Sequence, residues 1–259
     1  MNRTERLSMS AYRNAFPEGA LELDGAIALR VPLASATPML NRIVGLGLDV
    51  PATEDQLDAA IAAMDGLRFY VSISPDARPA EISDWLRARG FDPGWGWMQF
   101  RRGVEDAPTP VTALDVVELG PESNPDFGRI VRAAYGLPPE AERIIASAPE
   151  REGWICWLAL ADGEAAGAAA LFVDDGAGYL GYAGTAPEHR GKGAQSALLA
   201  TRIRRARELR CDTVFTETGV LLPGRPSASY RNILRAGFEE LYPISNWLSP
   251  EYPGSDLPV

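Results

Sequence analysis

The sequence predicts an α/β (α+β) fold in two similar halves, each a sheet flanked by helices. Three observations predict it. Residues 178–219 read as strand, glycine-bearing turn, long helix, strand. Upstream, 154–161, 165–173 and 179–185 are consecutive strand-like runs, joined by tight turns at Asp162-Gly163 and Asp174-Asp175-Gly176. A helix followed by a Gly-Phe step occurs twice, at Gly90-Phe91 and Gly237-Phe238. That repetition reads as a degenerate tandem duplication.

Taken in order, 9–16 form a short helix stopped by Pro17 and Gly19. Residues 21–31 alternate around Asp24-Gly25, a hairpin signal. An apolar run over 38–48 holds Gly45 and Gly47. Thr53 is positioned to cap a helix whose stripe is Leu57, Ala60, Ile61 and Met64. A strand over 67–73, a helix over 78–89 and a strand over 95–101 follow. Residues 101–110, with Gly103, Pro108 and Pro110, are the expected linker, dividing the chain into domains 1–105 and 111–259. The second half reads as a strand over 114–119, helices near 126–135 and 139–146, and the three strands. A helix then runs from the turn at 190–196 to about Arg210, with Leu199, Ile203 and Ala206 facing inward. A strand over 213–218, a helix over 227–236 and a last strand or two up to Trp247 complete it.

Composition narrows the partners. The chain has 259 residues, 46% of them hydrophobic, enough for one large or two small cores. No uncharged apolar run is long enough to cross a membrane; the nearest, 154–173, contains Asp162 and Glu164. With no signal-like apolar segment behind Arg3, Glu5 and Arg6, the expected location is the cytoplasm. The net charge of −10 argues against nucleic acid and suits a cationic amine as partner. Arg202, Arg204, Arg205, Arg207 and Arg210 read chiefly as a solvated helix face. Cys156 and Cys211 are expected in or near the core, and one histidine with two separated cysteines forms no metal constellation.

The turn before the long helix has the chemistry of an anion cradle. Amides at a helix start point outward unpaired, and the dipole there favours negative charge. Gly191 and Gly193 permit close backbone approach, while Arg190 and Lys192 add positive charge. A plain helix start with two solvated cations would read the same way. The nucleoside-triphosphate P-loop is excluded because Gly193 follows Lys192 and position 186 is alanine. The dinucleotide fingerprint is excluded because position 196 is serine.

The segment Arg190-Gly191-Lys192-Gly193-Ala194-Gln195, led in by Ala186-Pro187-Glu188-His189, resembles the [RQ]-x-x-G-x-[GA] motif of the GNAT superfamily of acyl-CoA-dependent N-acetyltransferases. Gln195 departs from its last position. A second segment, Ser229 to Phe238, resembles the family's later helix and Gly-Phe step. The resemblance implies two GNAT-like domains, each a mixed, largely antiparallel sheet flanked by helices. It implies that Arg190, Gly191, Lys192, Gly193, Ala194, Gln195 and Ser196 hold the CoA pyrophosphate, and that Ala183, Gly184 and Thr185 pair with the pantetheine arm. Ser229 matches a small cofactor-contacting position. Where that loop would fall in the first half stands Leu48-Asp49-Val50-Pro51-Ala52-Thr53-Glu54, acidic and without glycine. The first domain is thus expected to have lost the cofactor and to serve as structure or as a wall of the substrate cleft.

The reaction implied is direct attack of an amine on the acetyl thioester of acetyl-CoA, with no metal. It needs a base for the amine, a main-chain donor near 183–185 for the oxyanion and an acid for the thiolate. Glu217 is the candidate base, sharing a strand face with Phe215 and Gly219; a solvated strand-end acid is the other reading. The family's usual acid, a Tyr four residues before the Gly of Gly-Phe, is Ile233 here. Pro226, Ser229, Tyr230 and Ile233 share a helix face, so Tyr230 is the candidate acid or an aromatic packing on the core. His189 reads as a packing residue. Exposed edge strands and six tryptophans are compatible with a homodimer. A non-catalytic acyl-CoA sensor and a nucleotide-phosphate-binding module are the alternative functions.

Overall fold

The structure, a computed structural model, describes residues 1–224 and 227–250. Pro226 and the 251–259 end of the expected second domain lie outside the described residues. The chain forms two compact units, Met1–Trp97 with Tyr242 onward, and Met98–Leu241.

The first unit contains α1 (Arg3–Ala15), β1 (Ala20–Leu23), β2 (Ala26–Leu29), β3 (Arg42–Val44), α2 (Glu54–Ala63), β4 (Tyr70–Ile73), α3 (Ile82–Ala88) and β5 (Asp92–Pro93). β1 and β2 make the hairpin at Gly25, β3 pairs antiparallel with β2, and α2 carries the chain over to β4, parallel to β3. Ile43, Leu57, Met64, Phe69, Ile82 and Leu86 are fully buried in its core. Thr53 caps α2 in a reciprocal box: its hydroxyl accepts from Gln56 N at 3.2 Å while Gln56 Oε1 accepts from Thr53 N at 2.9 Å. Glu54 and Asp55 occupy the first turn, so this helix start is both capped and acidic.

The second unit holds most of β6 (Trp97–Gly103), then β7 (Asp115–Glu118), α4 (Pro125–Tyr135), α5 (Glu140–Ala146), β8 (Trp154–Ala161), β9 (Glu164–Asp174), β10 (Ala177–Thr185), α6 (Ala194–Glu208), β11 (Thr213–Gly219) and α7 (Ala228–Arg235). Its sheet runs β6-β11-β10-β9-β8-β7. β7, β8, β9 and β10 are antiparallel in turn, and α6 makes the crossover to a parallel β11. The inward stripe of α6 buries Leu198, Leu199, Ile203 and Ala206 against Trp157, Leu171, Leu180 and Val214. Cys156 and Cys211 are buried, and burial pushes the Cys156 thiol well above its usual range.

The fold is a mixed α/β arrangement of mostly antiparallel sheet flanked by helices, and both halves follow one order: antiparallel strands, a crossover helix, a parallel strand, a second helix. Three expectations need correction. α1 starts at Arg3, six residues before the expected start, because the Asn2 side chain caps it by accepting from Glu5 N. α6 starts at Ala194, since Gly193 at φ +89° cannot continue a right-handed helix. The unit boundary falls at 97/98 rather than at 101–110, and the chain returns to the first unit at Tyr242. The reason is hydrogen bonding in the last strand, β12 (Glu239–Leu248): Leu248, Trp247, Asn246 and Ser245 pair antiparallel with Tyr70, Val71, Ser72 and Ile73 of β4.

Candidate active site

The centre of the second unit is the place where two neighbouring strands separate. β10 and β11 pair from Ala177↔Thr213 to Leu180↔Thr216 and no further, though β10 continues to Thr185 and β11 to Gly219. On its other edge β10 slips register against β9: Gly181 opposes Ala170 and Gly184 opposes Ala168, so Tyr182 and Ala183 share the single partner position between. Tyr182 takes φ +50°, uncommon for a non-glycine residue. Its ring packs on Trp154 at 5.0 Å and Phe127 at 6.1 Å, which holds the bulge. Gly184 lies directly under α4; a Cβ there would stand 2.8 Å from Ala134 Cβ and 3.2 Å from Ile130 O. Tyr135, the last residue of α4, is 41% exposed, with its hydroxyl end turned toward the Ala183 main chain. Most of that exposure is on the ring, and burial of the hydroxyl end raises the pKa of the phenol.

From the bulge the chain runs through a short helical turn, Pro187–His189, into the glycine loop. Gly191 and Gly193 both have positive φ, and among the described residues no side chain caps α6. Its first-turn amides therefore face outward bare, the opposite of the capped, acidic start of α2. Arg190, Gly191, Lys192 and Ser196 are exposed, Gly193 and Gln195 half-buried, and Ala194 buried. Thr112 braces the loop by donating to Lys192 O at 2.7 Å, and a Cβ on Gly193 would meet Thr112 Cβ at 2.9 Å. His189 is buried, with Nδ1 3.1 Å from Lys192 Nζ.

Glu217 lies on β11 just past the last paired residue, half-buried, and its carboxylate accepts from Gln99 Nε2 at 2.7 Å. Gln99 is itself buried on β6, and its Oε1 has no hydrogen-bond partner among the described residues.

A splayed parallel pair, a bulged strand and a bare helix start now meet the comparisons with known proteins. The model of the family described as "Acetyltransferase (GNAT) family" matches residues 124–227. This segment is a GNAT acetyltransferase domain. A GCN5-related N-acetyltransferase from Kribbella flavida superposes with a TM-score of 0.68 at 16% identity, covering 100% of both chains. One from Sphaerobacter thermophilus gives 0.63 at 16% identity, over 90% of this chain and 79% of that one. A tandem GNAT protein from the clavulanic acid biosynthesis pathway gives 0.56 at 14% identity, over 88% and 80%. At these identities the likeness is one of fold. No curated protein matches the sequence.

Around the matched segment the remaining candidates separate. Ser229 is half-buried at the start of α7 and accepts from Gln195 Nε2 at 3.2 Å, while Gln195 Oε1 accepts from Asn232 at 2.7 Å. The side chain that departs from the family motif is therefore tied to α7. Tyr230 is 3% exposed, packs edge-on to Phe100 at 4.9 Å, and donates to Glu240 at 2.5 Å. Burial and that carboxylate push its pKa up to about 12. Among the described residues, its hydroxyl meets Glu240 rather than Glu217. Ile233 is core. Arg202 corrects the solvated-face reading of the α6 arginines: it is 1% exposed and points into the fold. Gln99, Tyr135 and Thr112 were missed, because each reaches the site from a segment distant in sequence. Arg202 did carry a signal, standing four residues from both Leu198 and Ala206 on the inward stripe.

Proposed function

We propose that the second unit transfers an acetyl group from acetyl-CoA to a primary amine, by direct attack in a ternary complex. The observation that carries this reading is one continuous stretch of chain. β10 leaves β11 after Leu180, bulges at Tyr182 and Ala183, and turns through Gly191 and Gly193 into a helix with bare first-turn amides. The GNAT domain supports acyl transfer from an acyl-CoA; acetyl as the group and an amine as acceptor are our reading.

The amides of Gly191, Gly193, Ala194, Gln195 and Ser196, with Arg190 and Lys192, would hold the diphosphate, since bare donors at a positive helix pole favour anions. Glycine at 193 fits that task twice, by its positive φ and by its approach to Thr112. The strand edge of Ala183, Gly184 and Thr185, free of β11, offers main-chain groups to the pantetheine amides, and the Ala183 N–H, which faces the Tyr135 hydroxyl, would turn to the acyl oxygen once the thioester is bound. Bound there, acetyl-CoA supplies a thioester activated toward amines. Glu217, held by Gln99, accepts the amine proton directly or through water. Ser229 lines the far side of the loop through Gln195.

Release of CoA measured across a panel of primary amines tests the activity, and melting with CoA, ATP and NAD tests the loop. CoA should raise the melting temperature more than ATP or NAD. Arg190→Ala should weaken CoA about tenfold, one charge-assisted contact, and Gly193→Asp should abolish binding. Absence of any shift with CoA overturns the reading. A second reading, a non-catalytic acyl-CoA sensor, is favoured by one observation: Ile233 replaces the usual acid and Tyr230 is engaged by Glu240. Tight acetyl-CoA binding without turnover on any amine would select it.

A further inference from the structure

Arg202 is the largest side chain buried to below 2% exposure in the described chain, and it is a cation. Its Nε donates to Leu198 O at 3.1 Å, one helical turn back. Its Nη1 donates to Ala170 O at 3.2 Å and Gly181 O at 3.3 Å. Those two carbonyls belong to the last regular pair before β10 slips register. Among the described residues no carboxylate lies within ion-pair distance of the guanidinium. Burying a charge is expensive unless hydrogen bonds and an opposite charge compensate it, and here only carbonyl dipoles do. A leucine or methionine would fill the same position on the inward stripe of α6 without that cost.

The guanidinium is bonded to the strand that carries the bulge. Its hydrogen bonds grip the strand immediately before Tyr182 and Ala183, so the aim of the Ala183 N–H depends on them. We propose that Arg202 is a positioning residue for acyl transfer: it fixes the β10 bulge, and its buried charge favours the oxyanion that forms when the amine adds to the thioester carbonyl. In that step the nitrogen–carbon bond forms as the C=O π pair moves onto oxygen, the amine proton passes to Glu217, and collapse breaks the carbon–sulfur bond and expels the CoA thiolate; Arg202 bonds to neither reactant. The proposal rests on the acetyltransferase reading above and adds a source of its electrostatics.

The test uses the full-length protein with Arg202→Met and Arg202→Lys, and two unreactive CoA thioethers. S-carboxymethyl-CoA carries a negative oxygen close to the acyl position, whereas S-ethyl-CoA carries none. Wild type should bind the carboxymethyl form more tightly than the ethyl form. Arg202→Met should reduce that preference about tenfold and kcat by about ten- to a hundredfold, within or below the loss from removing a direct oxyanion donor. Affinity for CoA itself should stay within about twofold, the split expected when only transition-state binding is lost. A lysine retains charge without the fork, so Arg202→Lys should keep most of the preference while losing part of kcat. Wild-type kcat and an unchanged thioether ratio in folded Arg202→Met overturn the proposal. So does a parallel fall in CoA affinity, kcat and melting temperature, which marks a packing role. If the methionine variant does not fold, an unaltered kcat in Arg202→Lys overturns it instead. Failure of wild type to bind CoA at all removes the acetyltransferase reading and this inference with it, an outcome visible before any variant is made.

Discussion

Glu217 is a half-buried carboxylate that accepts from the Gln99 amide, just past the last residue of β11 that pairs with β10. Glu217→Gln should lower kcat at least tenfold while leaving CoA affinity within about twofold, as steady-state rates and calorimetry would show. Tyr230→Phe should behave in the opposite way. It removes a hydroxyl committed to Glu240, so kcat should stay within about twofold of wild type. Losing one hydrogen bond, worth about 1 kcal/mol, should lower the melting temperature by roughly 2–4 °C. A tenfold loss of kcat in Tyr230→Phe would return that residue to the catalytic group.

Among the elements, α4 pressed on β10 is the contact that most directly sets the site. Gly184 permits it, with Ala134 Cβ 2.8 Å from where a Cβ would be. Gly184→Val should force α4 away from the bulge, destabilise by about 1–3 kcal/mol, and reduce kcat in the same protein. Calorimetric melting and turnover read both effects, and an unchanged melting temperature would mean that α4 does not pack on this edge. The sequence was informative where local chemistry decides the outcome. β8 was read to its observed ends because a turn dipeptide bounds it, and the Thr53 cap was read because the Thr-Gln spacing is itself the mechanism. The β10 bulge was not legible, since Gly181-Tyr182-Ala183-Gly184 continues the alternation of a strand and only the partner reveals the slip. The start of α6 was misread by four residues because the motif straddles a glycine outside the helix. Arg202 was misassigned because arginines surround it on the same helix, although its spacing placed it inward.

At the scale of the whole molecule, each unit contains sequence from both halves. β6, the closing strand of the first half, lies beside β11, and most of β12 lies beside β4. A chain ended after Leu241 should therefore damage the first unit selectively. β4 would lose its antiparallel partner, keeping only β3, and Ser72 would lose the 2.7 Å hydrogen bond it donates to Asn246. Amide exchange in β4 should accelerate, while CoA affinity in the second unit stays within about threefold. Full protection of β4 in the shortened chain would contradict the assignment of Tyr242–Leu248 to that sheet.

Synthesis runs against this wiring. The ribosome finishes Met1–Trp97 and must then make roughly 145 further residues before Tyr242 appears. At about 5–20 residues per second, that is a wait of roughly 7–30 s with one flank of β4 unsealed. Newly made chains are therefore most open to wrong partners in the segment translated first, and it is the later-made second unit that can mature ahead of it.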